Sequence, residues 1–181
     1  MKRKIRNIYI DGMEKSGKTS IIMEMRKHLG NKNKAFCEFN GINLENIQKQ
    51  ERYLSEPGVD EIVVLKQNSL MNVFYKDLVA FKSVVDMKEQ HAELIRREVS
   101  INQQYGAVHF FIIPEDIETA KIRFNGEIPS YYVDLWNFYK NIDSISLTQG
   151  LNIELIFFDE FDRIYDVRDK ILDIIDQKYE I

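Results

Sequence analysis

Eight residues near the amino end, Gly12-Met13-Glu14-Lys15-Ser16-Gly17-Lys18-Thr19, have the types and spacing needed to hold a chain of phosphates. Two glycines flanking four residues let the backbone turn several N–H groups toward one point, where an anion can sit. A helix opening at Gly17 adds the partial positive charge of its first turn. The Lys18 ammonium would bridge the β- and γ-phosphates of a nucleoside triphosphate, and the Thr19 hydroxyl would help hold Mg²⁺. The expected nucleotide-binding set is Gly12, Met13, Glu14, Lys15, Ser16, Gly17, Lys18, Thr19 and Ser20, with ATP and Mg²⁺ as ligands.

Within that turn Glu14 and Lys15 set an acid and a base side by side. Lys15 beside the transferring phosphate would stabilise charge developing on it, as an arginine does in other phosphoryl-transfer sites. The alternative is a local solvated pair, and the sequence leaves both open.

Such a turn works only between a strand and a helix, and the chain supplies both. Short β-rich runs recur at Ile8–Ile10, Ala35–Cys37, Ile62–Leu65, Val108–Ile113 and Ile153–Phe158. Several are nearly continuous in apolar residues, as strands covered on both faces are. Helical patterns alternate with them. One runs from Gly17 to Leu29 and stops at Gly30, a natural carboxyl-terminal cap. Others run from Ser69 to about Lys82 and from Val84 to about Gln104, and one opens at Pro114. The last two run from Ser130 through Asp143 and from Phe161 to about Lys178. The span between the second and third strands reads as short. The alternation predicts an α/β, three-layer P-loop fold, a central, mostly parallel five-stranded sheet in a single domain over 1–181.

Composition fits that reading. The 181 residues are 44% apolar and 30% charged, enough for a substantial core. A net charge of -4 gives no reason to expect nucleic-acid binding, and no apolar run is long enough to span a bilayer. The basic start, Lys2-Arg3-Lys4-Ile5-Arg6, reads as a solvated lead-in to the first strand. Cys37 reads as a buried thiol and His109 as a hydrogen-bonded core histidine; the three histidines lack the spacing of a zinc site. A cytoplasmic protein is expected, with self-association into a homodimer left open.

The run Tyr9-Ile10-Asp11-Gly12-Met13-Glu14-Lys15-Ser16-Gly17-Lys18-Thr19 resembles the opening of thymidylate kinases and related deoxynucleoside kinases. Those with a basic residue at the position of Lys15 are the more similar, since they need less help from arginines in the mobile lid. The resemblance implies ATP-dependent phosphoryl transfer to a nucleotide or nucleoside acceptor. It implies a catalytic set of Lys18, Lys15 and Glu38, the last falling near where these kinases place an acid beside the acceptor. Val108–Ile113 and the segment Pro114–Arg123 are similar to their fourth strand and following helix, which implies a nucleotide-contacting role for Arg123 near the adenine and the lid.

The sequence departs from these kinases where they carry Asp-Arg after the third strand. Here the chain reads Leu65-Lys66-Gln67-Asn68-Ser69, with Lys66 as the available cation. The stretch from Arg123 to Ser130 contains no further arginine. Ser55-Glu56-Pro57-Gly58 is similar to a Glu-Pro-Gly of these kinases, but its place before the third strand suits a turn. A rival signal, Leu155–Phe158 followed by Asp159-Glu160, resembles the strand and acidic pair of P-loop ATPases, with Asp159 as metal residue and Glu160 activating water. Trp136 and Tyr139 have the spacing of packing residues, while Tyr53 and Phe74 are further candidates for a nucleoside pocket. Three readings stand: a nucleotide or nucleoside kinase, a P-loop ATPase or switch, and a degenerate kinase that binds nucleotide without turnover.

Overall fold

Asn7–Gly12 is buried at every position, as a strand covered on both faces must be. It is the central strand of a computed structural model that describes residues 2–32, 34–56, 62–67, 89–144 and 148–181. In chain order the elements are β1 (Arg3–Lys4), β2 (Asn7–Gly12), α1 (Lys18–Asn31), β3 (Phe36–Asn40), α2 (Leu44–Ser55) and β4 (Val63–Gln67). There follow α3 (Glu89–Tyr105), β5 (Ala107–Pro114), α4 (Ile117–Arg123), α5 (Tyr132–Lys140), β6 (Ile153–Phe158), α6 (Ile164–Lys178) and β7 (Tyr179–Glu180).

The five long strands form one sheet in the order β3-β4-β2-β5-β6. Every pairing in it is parallel, so the "mostly parallel" expectation sharpens to all-parallel. Alternate residues serve opposite faces. Ile8, Ile10, Leu65, Phe110 and Ile112 pack with Ile21, Met25 of α1 and Val167, Ile171 of α6. Val64, Phe111 and Ile113 pack with residues of α2, α3, α4 and α5 on the other side. Burying each such isoleucine contributes about 2 kcal/mol to holding a helix on the sheet.

From β2 the chain leaves through α1 toward one edge, and from β5 it leaves through α4 and α5 toward the other. These diverging connections open a crevice at the carboxyl ends of the two central strands, where ligands of open α/β sheets bind. The turn Gly12–Thr19 leaves β2 at that point.

Several expected boundaries move, each for a local reason. Gly30 does not cap α1: it is helical, and the helix ends where Lys32 N donates to the His28 and Leu29 carbonyls. Pro114 ends β5 in register with Phe158 instead of opening a helix, and α4 is capped by Asp116, whose Oδ1 accepts from Thr119 N at 2.7 Å. The Ser130–Asp143 helix shortens to Tyr132–Lys140, and that from Phe161 starts at Ile164.

The span between β3 and β4 holds a helix the sequence reading missed. Asn43 caps α2, accepting from Asn46 N at 2.8 Å, and Ile47, Gln50 and Leu54 line its buried face. The cap and the Ile47–Leu54 spacing were the available signal. The basic start becomes β1, exposed and paired in parallel with β7. The helix expected from Ser69, the start of that from Val84, and Phe74, Pro57 and Gly58 lie outside the described residues. Among the described residues no helix is long and apolar enough to cross a membrane.

Candidate functional site

The backbone of the turn is fixed by two glycines in the left-handed region. Gly12 has φ +126°, and a Cβ there would lie 2.2 Å from the Ile112 carbonyl oxygen of β5. Only glycine permits so close an approach. Gly17 has φ +84°, with Ile164 of α6 packed 3.3 Å from where its Cβ would be. Lys15 also has positive φ, 56°, an uncommon state for a residue with a side chain.

Gly17 caps α1 with its backbone only, and Ile21 N closes the first helical bond to its carbonyl at 3.0 Å. By helix geometry the N–H groups of Lys18, Thr19 and Ser20 have no intrahelical acceptor, so they point out of the helix start. The Lys18 side chain curls back over the turn, donating to the carbonyls of Met13 at 2.6 Å and Gly12 at 3.1 Å. Burial pushes its pKa down to about 8, while the negative charges of Asp11 and Glu14 oppose the shift. The Ser16 hydroxyl is buried without a hydrogen-bond partner. An unsatisfied buried hydroxyl in a turn of converging donors suits a site made to receive oxygen atoms.

An open cavity of about 360 Å³ lies over this turn, lined by Glu14, Lys15, Gly17, Lys18, Thr19, Ser20 and Gln67. At its floor Gln67 Nε2 donates to Thr19 Oγ1 at 2.9 Å. On the side of the α4–α5 connection, the Tyr131 hydroxyl donates to Glu14 Oε2 at 3.2 Å. The Lys15 ammonium sits over the Phe124 ring, 4.6 Å from its centroid. The acid and the base of the turn thus both contact the segment that follows α4, while Lys15 itself stays exposed.

The other expected site residues lie elsewhere. Glu38 projects from edge strand β3 and pairs with Arg26 of α1 at 2.5 Å, outside the cavity lining. Arg123 donates to the Asp162 carbonyl at 2.8 Å and lies over the Phe158 ring, so it fastens α4 to the β6–α6 loop. Asp159 follows β6, which β5 separates from β2. Its Oδ1 accepts from Phe161 N and Asp162 N at 2.8 and 2.9 Å, so the carboxylate holds its own turn. Neither Asp159 nor Glu160 lines the cavity.

Lys66 is the largest departure from expectation. Instead of reaching the phosphates it is fully buried on the α2–α3 face, bonded to Glu98 Oε2 at 2.6 Å and Gln50 Oε1 at 2.8 Å. Gln50 Nε2 donates to Asn7 Oδ1 and to the Tyr9 hydroxyl. The Tyr9 hydroxyl donates to Glu98 Oε1 and lies 2.8 Å from a second acceptor, Asn102 Oδ1. Asn102 continues to His109 Nε2 at 2.8 Å, and the imidazole stacks on Tyr9 with centroids 4.0 Å apart. Burial, with the Lys66 charge adding to it, takes the His109 pKa down to about 3, so the ring is neutral. It is a core histidine, as its place in an apolar strand suggested.

Trp136 and Tyr139 pack against the same face, with Trp136 Nε1 donating to the Pro114 carbonyl. Tyr53 lies 6.4 Å from the Phe39 ring, half exposed on α2. The Cys37 thiol is partly buried, and burial pushes its pKa up to about 11. Gln67 has no assigned role from sequence, where it only departs from the Asp-Arg pattern; its contact with Thr19 puts it in the cavity lining. Compared with known proteins, the sequence matches no family model, and no curated protein matches it either.

Proposed function

We propose that the protein is a P-loop phosphotransferase that moves the γ-phosphoryl group of ATP to a nucleotide or nucleoside. The observation that carries this reading is the Gly12–Thr19 turn. Its backbone is held by Gly12 and Gly17, Lys18 is folded over it, and it opens α1 beneath a cavity at the sheet's carboxyl end.

In that reading the turn's N–H groups and the first turn of α1 bind the phosphate oxygens. Lys18 exchanges its two carbonyl partners for β- and γ-phosphate oxygens. Lys15 leaves the Phe124 face to meet charge growing on the transferring group, a change that strengthens in the transition state and so raises rate. Thr19, exposed at the cavity with its hydroxyl toward Gln67, fits as an oxygen ligand for Mg²⁺. When bound, Mg²⁺ would neutralise negative charge on the phosphates. Ser16 would satisfy its hydroxyl on the same oxygens. Glu38, paired with Arg26, has no part in this set.

The ATPase reading is weaker because Asp159 is engaged in its own turn and lies outside the cavity. The deciding experiment is incubation with ATP, Mg²⁺ and a panel of nucleosides and nucleoside monophosphates, following ADP and phosphorylated product. The expected result is ADP formation that depends on one acceptor. Acceptor-independent ADP would favour hydrolysis, and tight binding without ADP would favour a degenerate kinase. Unchanged nucleotide binding by Lys18→Ala would overturn the phosphate-binding role itself.

A further inference from the structure

We infer that Gln67 is a positioning residue that orients the Thr19 hydroxyl toward the divalent cation of a bound metal–nucleotide complex, without itself adding charge to the cation site. The inference rests on the proposed function and concerns how that site takes up its metal.

Strand geometry puts Gln67 there. Successive residues of β4 face opposite sides of the sheet. Lys66 turns toward α2 and α3, where Glu98 and Gln50 hold it in full burial. Gln67 turns to the α1 face. Its backbone is fixed on both sides, in register with Ile10 of β2 and Asn40 of β3, and its carbonyl accepts from Gly41 N at 2.7 Å. From that position the side-chain amide meets Thr19 Oγ1 at 2.9 Å.

The chemistry of that bond defines the role. A hydroxyl has two lone pairs and one proton. When Gln67 Nε2 donates to one lone pair, the second remains to face a cation, and the Thr19 rotamer is set before the cation arrives. Groups that orient a metal ligand in this way typically change metal affinity about 10- to 100-fold when removed. A carboxamide carries no charge, so Gln67 orients without drawing a bare cation into the cavity. The metal is then expected to enter with the nucleotide, whose phosphates supply the negative charge.

The test measures the affinity of a fluorescent, non-hydrolysable ATP analogue with and without Mg²⁺, for the unmodified protein and for Gln67→Leu, Thr19→Ala and the double variant. Mn²⁺ binding in the presence of the analogue is followed by electron paramagnetic resonance. The expected result is a metal-free affinity that stays the same in Gln67→Leu, while the gain from Mg²⁺ falls about 10-fold. Gln67→Leu is expected to add nothing in the Thr19→Ala background, as for two residues acting through one bond. A full Mg²⁺ gain in Gln67→Leu overturns the inference. So does an equal loss of affinity with and without metal, which would make Gln67 a general support of the turn. Gln67→Asn, too short to reach Thr19, should behave as Gln67→Leu and serves as the second variant if leucine unfolds the protein. An unmodified protein that binds no analogue under either condition overturns the proposed function, and the inference with it.

Discussion

Replacing Lys66 with Met removes the buried charge while keeping most of its volume. The structure allows the cost to be worked out. Both members of the Lys66–Glu98 pair are fully buried, so the variant leaves the Glu98 carboxylate without its counter-ion. Breaking a buried pair from one side costs roughly 3–5 kcal/mol, and the Gln50 oxygen left unpaired adds to it about 1–3 kcal/mol before relaxation. A loss of about 4–8 kcal/mol is expected, its lower end if the site relaxes, a large part of the roughly 5–15 kcal/mol that holds a domain together. Urea unfolding followed by circular dichroism measures it. Lys66→Met/Glu98→Leu removes both charges and should recover part of the loss, leaving the cost of the unpaired Gln50 oxygen, since Tyr9 keeps Asn102 and Gln50 as partners. A Lys66→Met variant within about 1 kcal/mol of the unmodified protein would refute the buried-pair account, as would a double variant no better than the single. Where it remains folded, Lys66→Met should keep nucleotide binding, because the side chain points away from the cavity. A loss matching that of Lys18→Ala would refute that placement.

The Lys18 pKa of about 8 gives nucleotide binding a pH dependence with a definite sign. Phosphates bind the ammonium form and raise its pKa, so the complex holds more protons than the free protein. Affinity should be level near neutrality and fall as pH rises through 8, approaching about tenfold per pH unit. Calorimetry at pH 8.5 in two buffers of different ionisation heat should show proton uptake; proton release or a flat profile from pH 7 to 9 would contradict it. Two glycines separate site from scaffold. Gly12→Ala forces a Cβ to within 2.2 Å of the Ile112 carbonyl oxygen and should abolish nucleotide binding. Gly106→Ala makes a comparable clash, 2.3 Å from the Lys4 carbonyl oxygen at the opposite end of the sheet. It should lower the unfolding midpoint in urea while the folded protein still binds nucleotide; equal binding loss in both variants would undo the distinction.

Much of the site was legible before any coordinate because its chemistry is local. The Gly12–Thr19 turn is contiguous, and glycine spacing alone prescribes how its N–H groups converge. The strands were legible for a similar reason, since nearly continuous apolar runs such as Val108–Ile113, broken only by His109, suit strands covered on both faces. The helix α2 was not, because its exposed face mixes charged, polar and apolar residues such as Leu44 and Tyr53, and only Ile47, Gln50 and Leu54 mark the buried one. Gln50 is buried because the sheet offers it Lys66 and Tyr9, which no local pattern records.

For Lys66, Gln67, Glu38 and Asp159 the sequence supplied the residue type and left the partner undetermined. Lys66 looked like a phosphate-binding cation because of its charge and its place after a strand. Which face it serves depends on β4 lying between β2 and β3, with α2 and α3 on one side and α1 on the other. That arrangement buries the lysine against Glu98 and delivers the neutral Gln67 to Thr19. Glu38 is taken by Arg26 across the edge of the sheet, and Asp159 by its own turn. By itself the sequence determined that a glycine-held turn stands between a strand and a helix, because backbone freedom and helix polarity are local properties. Only the tertiary structure decided which charges reach that turn, because strand order and side-chain parity set every distance over which a charge can act.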